Sequence, residues 1–298
     1  MMKILVLGGT RFMGKHLVDE LLREGHVVSV GSTGQTVVHY DGEVERLTLN
    51  REDRASLEAA VQGREWDIVY DMICYSPDDA RLAVNMFTGK TKKYILVSSL
   101  SVYLPAEHGQ KEEEWSPYGY PVTGTDRHSL SYAEGKRQAE AVFADGTAFQ
   151  AVMVRPPFVL GMDDYTRRLH FHVEKVMKGE TIGMPAPEAR VQFIRSDEAG
   201  RFLSWLKTAS LTGPVNACST GSIPLSELLG LIETVTGKKA ITAPEAPQKN
   251  MSPYGVEQSW YMDNGKAEAA GFEFERLDNW LPELINQLVQ QLREESKL

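Results

Sequence analysis

Tyr132 and Lys136 stand four residues apart in SYAEGKRQAEAVF, a stretch whose pattern predicts a helix, so both side chains project from one face. That spacing suits proton transfer. A phenol with an ordinary pKa of about 10 is a poor base near neutrality, and an adjacent ammonium favours the phenolate. A third member is expected from VSSLSVY, which reads as the C-terminal end of a strand. Ser99 is the choice there, because a hydroxyl at a strand end can donate to a carbonyl or alkoxide while Tyr132 moves the proton. Ser98 and Ser101 are its rivals, since alternate strand residues point to opposite faces. The plainer reading of each serine is a hydrogen bond to nearby backbone.

The first residues, KILVLGG, read as a strand running into GGTRFMG and then directly into a helix. Strand, glycine turn and helix N-terminus together aim free backbone N–H groups and the positive dipole end at a pyrophosphate, with Gly8, Thr10, Phe12, Met13 and Gly14 as the cradle. Arg11 occupies the middle position of this loop, where a glycine would let phosphates approach the backbone, and its guanidinium is a candidate phosphate ligand. The second strand ends in SVGSTGQ and carries no Asp or Glu to accept from a ribose diol, which favours NADP over NAD as cofactor. Arg11, Ser32 and Thr33 are the candidates for a 2′-phosphate, although Ser and Thr are equally ordinary turn residues. After the third strand, Asn50 and Arg51 are placed to face adenine or to cap the next helix. Arg155, before Pro156 and Pro157, ends a strand near the expected nicotinamide, either as a cofactor contact or as part of a rigid turn. Lys136 can also reach the nicotinamide ribose.

Holding these groups requires alternating β/α units. HVVSVGS, VERLTL, DIVYDMI, KKYILVSSLSVY and AVMVRPPFVLG read as further strands, separated by the helical stretches KHLVDELLREG, REDRASLEAAV, DDARLAVNMF and SYAEGKRQAEAVF. The expected fold is α/β, a Rossmann doubly wound parallel sheet over residues 1–160, with a smaller C-terminal α/β substrate lobe over 161–298 that returns some elements to the main sheet. LPELINQLVQQL places Leu281, Leu284, Ile285, Leu288, Val289 and Leu292 on one stripe, so this last helix should dock.

A net charge of −9 and a pI near 5.4 disfavour a general nucleic-acid surface, and no tract is apolar enough for a membrane span. Cys74 and Cys218 fit neither a disulfide framework nor a zinc site, and the reading is a cytoplasmic protein without metal that acts on a small molecule. His170 and His172 are spaced to split across a helix rather than to chelate.

GGTRFMG, VSSLSVY, YAEGK, VRPPFVLG and VQFIRSDEAG, in this order and spacing, resemble the NAD-dependent epimerase/dehydratase family of short-chain dehydrogenases. The GGTRF form and WYMDNGKAEAAGF resemble a branch that includes bacterial reductase-like proteins and chloroplast stem-loop-binding proteins. The resemblance implies cofactor in the N-terminal lobe, substrate in the C-terminal lobe, and the family roles at Gly8, Gly14, Ser99, Tyr132 and Lys136. It implies a nicotinamide-dependent epimerase or reductase acting on a nucleotide sugar or related carbonyl compound, and a homodimer paired partly through the segment from Tyr132 to Phe143. The alternatives are an RNA-associated cofactor-binding protein and a reductase of a non-sugar metabolite. Dehydratases of this family place Asp and Glu after the catalytic hydroxyl; Leu100 and Ser101 stand here, which disfavours dehydration.

Overall fold

The computed structural model describes residues 1–295, so the last three residues of the expected second lobe lie outside the described ones. Seven parallel strands form the main sheet: β1 (Lys3–Leu7), β2 (Val27–Ser32), β3 (Glu45–Thr48), β4 (Ile68–Asp71), β5 (Lys93–Val97), β6 (Gln150–Arg155) and, late in the chain, β11 (Gly213–Asn216). Their order is β11-β6-β5-β4-β1-β2-β3, which reverses direction between β1 and β4 and so opens a crevice above the carboxyl ends of those strands. Side chains alternate across the sheet as the period of two requires. Ile4 and Val6 face helices α1 (Phe12–Arg23) and α6 (Ser196–Trp205), through Leu17, Leu21, Phe202 and Leu203. Leu5 and Leu7 face the opposite layer of α2 (Arg54–Val61), α3 (Pro77–Phe87) and α4 (Tyr132–Ala144), through Leu57, Ala83, Phe87 and Phe143. The family of βα units expected from the sequence is therefore the doubly wound sheet that forms.

Three expected strands are interrupted, each for a local reason. VSSLSVY leaves the sheet at Val97, because the Ser99 hydroxyl accepts from the Ser101 backbone N–H and starts a short 3-10 turn, Leu100–Val102. VRPPFVLG is two strands, since Pro156 and Pro157 donate no backbone hydrogen bond. Beyond them β7 (Phe158–Leu160) pairs with β10 (Phe193–Arg195) instead of extending the main sheet. VQFI is likewise shared between β9 (Arg190–Val191) and β10. GPVN carries no strand signal in the sequence. It nevertheless forms the β11 edge, where Pro214 is tolerated.

The remaining segments build a second core around Leu169, Val173, Phe193, Leu228, Tyr254 and Trp280. Helices α5 (Arg168–Lys178), α7 (Leu225–Thr236) and the long α9 (Leu277–Glu295) supply this region with the small strands β8 (Thr181–Gly183), β12 (Ile223–Pro224) and β13 (Ile241–Ala243), whereas the short α8 (Gly265–Ala269) buries Ala267 in the core of the main sheet. The predicted stripe on α9 is buried along its length. Among the described residues no helix is long and apolar enough to cross a membrane.

Candidate active site

The glycine turn joins β1 to α1 beside the opening of the sheet. Gly8 takes φ +84, and a Cβ on Gly14 would lie 2.6 Å from the Gly8 carbonyl oxygen, so the first helical turn packs against the loop at a distance only glycine allows. Arg11 is the N-cap of α1, makes no side-chain cap, and has an extended φ of −145, a conformation open to any residue. A side chain is thus compatible with the middle loop position; the left-handed strain falls on Phe12, at φ +54. Thr10, Phe12 and Met13 are half-buried along the turn, and the exposed Arg11 guanidinium stands 5.6 Å from the Tyr165 ring. With no side chain capping the first amides of α1, the turn fits a dinucleotide pyrophosphate. Gly14→Ala is expected to weaken binding of a nicotinamide dinucleotide by about tenfold or more, measured by calorimetric titration. Gly230→Ala, whose Cβ would meet nothing within 4 Å, should leave that affinity unchanged.

Ser32 and Thr33 lie at the end of β2, Ser32 half-buried and accepting from the Gly34 N–H, Thr33 exposed. Asn50 is exposed and its side-chain oxygen accepts from the Glu52 N–H in the turn before α2, whose N-cap is Asp53 rather than Asn50. Arg51 departs from the expectation. It is 5 % exposed and turned under the strand ends, where its Nη2 donates to Asp71 at 2.7 Å and to the Asp79 carbonyl at 2.9 Å. Asp71 also accepts from the Tyr94 hydroxyl and the Ile73 N–H. Burial alone would lower the Arg51 pKa, but Asp71, Tyr94, Cys74 and Asp79 together outweigh it and hold the guanidinium above its ordinary value. Through Nη2 it fixes the loop after β4, while its buried Nε and Nη1 have no hydrogen-bond partner.

Arg155 is the second correction. Its side chain is fully buried behind the crevice, and every guanidinium nitrogen is engaged: Nε and Nη2 by the Glu140 carboxylate, Nη1 by the Tyr103 hydroxyl and the Glu112 carbonyl, Nη2 also by the Trp115 carbonyl. It has no donor left for a cofactor. The partner that decides this, Glu140, projects from α4 fifteen residues earlier, a pairing that spacing does not signal.

The catalytic candidates come from α4 and the turn after β5. Ser131 caps α4 by accepting from the Glu134 N–H, so Tyr132 is the first helical residue, 55 % exposed at the crevice. One turn on, Lys136 is 2 % exposed, and its Nζ donates to the Cys74 carbonyl at 2.7 Å and the Val97 carbonyl at 2.9 Å. These carbonyls belong to the loop after β4 and the end of β5, so the lysine ties both strand ends to α4 and keeps one N–H free. The 3-10 turn is fastened to the same helix by Arg137 Nε, which donates to the Val102 carbonyl. Of the three serines, Ser98 and Ser101 are buried and Ser99 is half-buried. The Ser99 oxygen accepts from Ser101, which leaves its own proton free to donate.

A loop from the second core closes the other side. Asp163 accepts from the Ser196 hydroxyl at 2.7 Å and pairs with His16 on α1 at 3.1 Å, and Tyr165 packs edge-on against Phe12. The hydrogen bond to Asp163 raises the His16 pKa against the opposing effect of burial. A raised histidine pKa contributes stability that is complete below the unfolded value of about 6.5 and is lost as pH rises through the folded value. Amide exchange at residues 164–167, corrected for the intrinsic pH dependence, is therefore expected to quicken as pH rises through that window, and Asp163→Asn should flatten the response. Of the arginines in this half, Arg167, Arg190 and Arg195 are engaged with Glu174, Ser222 and Asp197, and Arg168 lies over the Phe158 ring.

The sequence model of the NAD dependent epimerase/dehydratase family matches residues 4–210. The chain belongs to this family. The match takes in the glycine turn, the serines, Tyr132 and Lys136, and it ends before WYMDNGKAEAAGF. Three solved structures of similar fold show the same architecture across almost the full chain. A UDP-glucose 4-epimerase of Thermus thermophilus in complex with NAD is 20 % identical, covers 98 % of this chain and 99 % of its own, and superposes with a TM-score of 0.73. A UDP-glucose 4-epimerase of Thermotoga maritima with UDP-glucose is 18 % identical, with 99 % of each chain covered and a TM-score of 0.72. A dTDP-glucose 4,6-dehydratase of Bacillus anthracis in complex with NAD is 15 % identical, with 99 % and 98 % covered and a TM-score of 0.75. A curated relative, the chloroplast stem-loop binding protein of 41 kDa b of Arabidopsis thaliana, is 24 % identical over 203 residues, 64 % of this chain. The chain spans half the length of that relative. The matched span includes the segment that carries Tyr132 and Lys136. Tyr75, whose ring lies 4.4 Å from Lys136 Nζ, has no counterpart among the sequence expectations; an aromatic residue just past β4 was the available signal.

Proposed function

We propose that this protein is a nicotinamide-dependent epimerase or reductase that acts on a nucleotide sugar or related carbonyl compound, with NADP preferred over NAD. The observation that carries the reading is Lys136, buried on two strand-end carbonyls and one helical turn from an exposed Tyr132. The bound cofactor supplies or accepts the hydride. Tyr132 transfers the proton to or from the substrate oxygen, and the Lys136 ammonium stabilises the negative charge left on the phenol oxygen. Ser99 donates its free proton to the same substrate oxygen and orients it. Arg11 is the candidate for a cofactor phosphate, with Ser32 and Thr33 at the end of β2, where no carboxylate accompanies them. Leu100 and Ser101 follow Ser99, which supports epimerisation or reduction over dehydration.

Titration calorimetry with NADP and NAD, then a panel of nucleotide sugars and simple carbonyl compounds followed by nicotinamide absorbance and product analysis, tests this reading. Binding of NADP with turnover of a panel compound supports it; no binding of either dinucleotide overturns it. The similarity to a chloroplast stem-loop binding protein supports a second reading, association with RNA. Salt-dependent RNA binding in the absence of turnover would favour that second reading, against which the net charge of −9 weighs.

A further inference from the structure

We infer that Tyr75 is a positioning residue that holds the Lys136 ammonium in place and shields it from water. Its chemical consequence rests on the proposed role of the Tyr132–Lys136 pair; its effect on Lys136 does not. The Tyr75 ring lies 4.4 Å from Lys136 Nζ, closer than the Tyr132 ring at 5.8 Å, and well within the range of a cation–π contact. The two tyrosine rings are themselves 6.3 Å apart, so Tyr75 fills the angle between the members of the pair.

The ring cannot drift, because its loop is held on every side. The Tyr75 N–H donates to Asp79, Ser76 caps α3 through the Asp79 N–H, and the Cys74 carbonyl accepts from Lys136 itself. Beneath the loop, Asp71 accepts from the Ile73 N–H and pairs with the buried Arg51. Above it, a Cβ on Gly135 would stand 2.4 Å from the Tyr75 carbonyl oxygen, so glycine at this point of α4 is what admits the loop against the catalytic helix. Burial raises the Tyr75 phenol pKa, and the nearby Tyr132 and Tyr165 hydroxyls add to that rise, which keeps the Tyr75 phenol neutral. A neutral ring against an ammonium whose hydrogen-bond partners are carbonyls supplies electron density without neutralising the charge, which leaves that charge free to act on Tyr132.

Trace acylation of lysines, read residue by residue by mass spectrometry on the full chain, tests this without a substrate. Lys93 is the internal control, buried and donating to the Leu206 and Ala209 carbonyls at the far end of the sheet. Tyr75→Leu and Tyr75→Met are expected to raise the Lys136 acylation rate by about tenfold while Lys93 stays unchanged, and Tyr75→Phe, which keeps the ring, to match the wild type. A Lys136 rate within about twofold of wild type in both aliphatic variants overturns the inference. A parallel rise at Lys93 overturns it as well, since that is general loosening. With any panel compound that turns over, Tyr75→Leu should lower kcat about tenfold and Tyr75→Phe restore it, with KM little changed. If the wild type binds neither dinucleotide, the proposed function fails while the acylation pattern still decides the role of Tyr75.

Discussion

Tyr132→Phe is expected to lower turnover by about 10²- to 10⁴-fold, the range spanned by loss of a general acid–base group, while dinucleotide affinity and thermal stability stay near wild type. The reason for the split lies in its surroundings. The Tyr132 side chain is 55 % exposed at the start of α4, so removal of its hydroxyl leaves no buried polar group unpaired. Lys136→Met should lower turnover comparably but carry a second signature. Its Nζ serves the Cys74 and Val97 carbonyls, and leaving those without a donor costs about 1–3 kcal/mol apiece. A drop in melting temperature is therefore expected for Lys136→Met and not for Tyr132→Phe. Steady-state kinetics with calorimetric melting of both variants checks this, and unchanged turnover in Tyr132→Phe would remove the phenol from the chemistry.

The sequence made the βα alternation, the glycine turn between β1 and α1 and the Tyr132–Lys136 spacing on one helix legible, because each of these depends on period and order along the chain. The glycine turn needs only the residues within it, and the YxxxK spacing is a property of one helix. What it did not reveal depends on side chains that meet from distant segments. Arg51 and Arg155 both follow or end a strand, and from that position alone both look like ligand contacts. Each is instead drawn inward by a carboxylate whose approach depends on the completed sheet, Asp71 from β4 for one and Glu140 from α4 for the other. Tyr75 escaped for the same reason: its proximity to Lys136 is set by Gly135 and Asp79, not by any local motif. The β11 edge had too short and irregular a pattern, GPVN, to stand out from a loop.

Glu140→Ala is expected to destabilise the protein by about 3–5 kcal/mol, because it strands the Arg155 charge in the interior. Both side chains are fully buried and paired at 2.7 Å, so no solvent screens the loss. Burial by itself would lower the Arg155 pKa, yet the charge and hydrogen bonds of Glu140, with those of Tyr103, hold it above its ordinary value. The guanidinium is also stacked 4.9 Å from both the Tyr103 and Trp115 rings, and the Tyr103 hydroxyl donates in turn to Asn216 of β11. Asn216 then donates its backbone N–H to Glu112 and its side-chain amide to the Gln110 and Asp263 carbonyls. One chain of polar contacts thus joins the rear face of α4 to β6, the loop after β5, the edge strand and the C-terminal segment. For a chain of this size the expected fall in melting temperature is on the order of 10 °C. The double replacement Glu140→Leu with Arg155→Met should recover a large part of it, since two buried charges vanish together, although Tyr103 and two carbonyls lose a donor. A double mutant no more stable than Glu140→Ala would mean that those further hydrogen bonds, and not the ion pair, anchor α4. Recovery of stability without recovery of turnover would show that α4 needs the guanidinium for its placement as well as for its attachment.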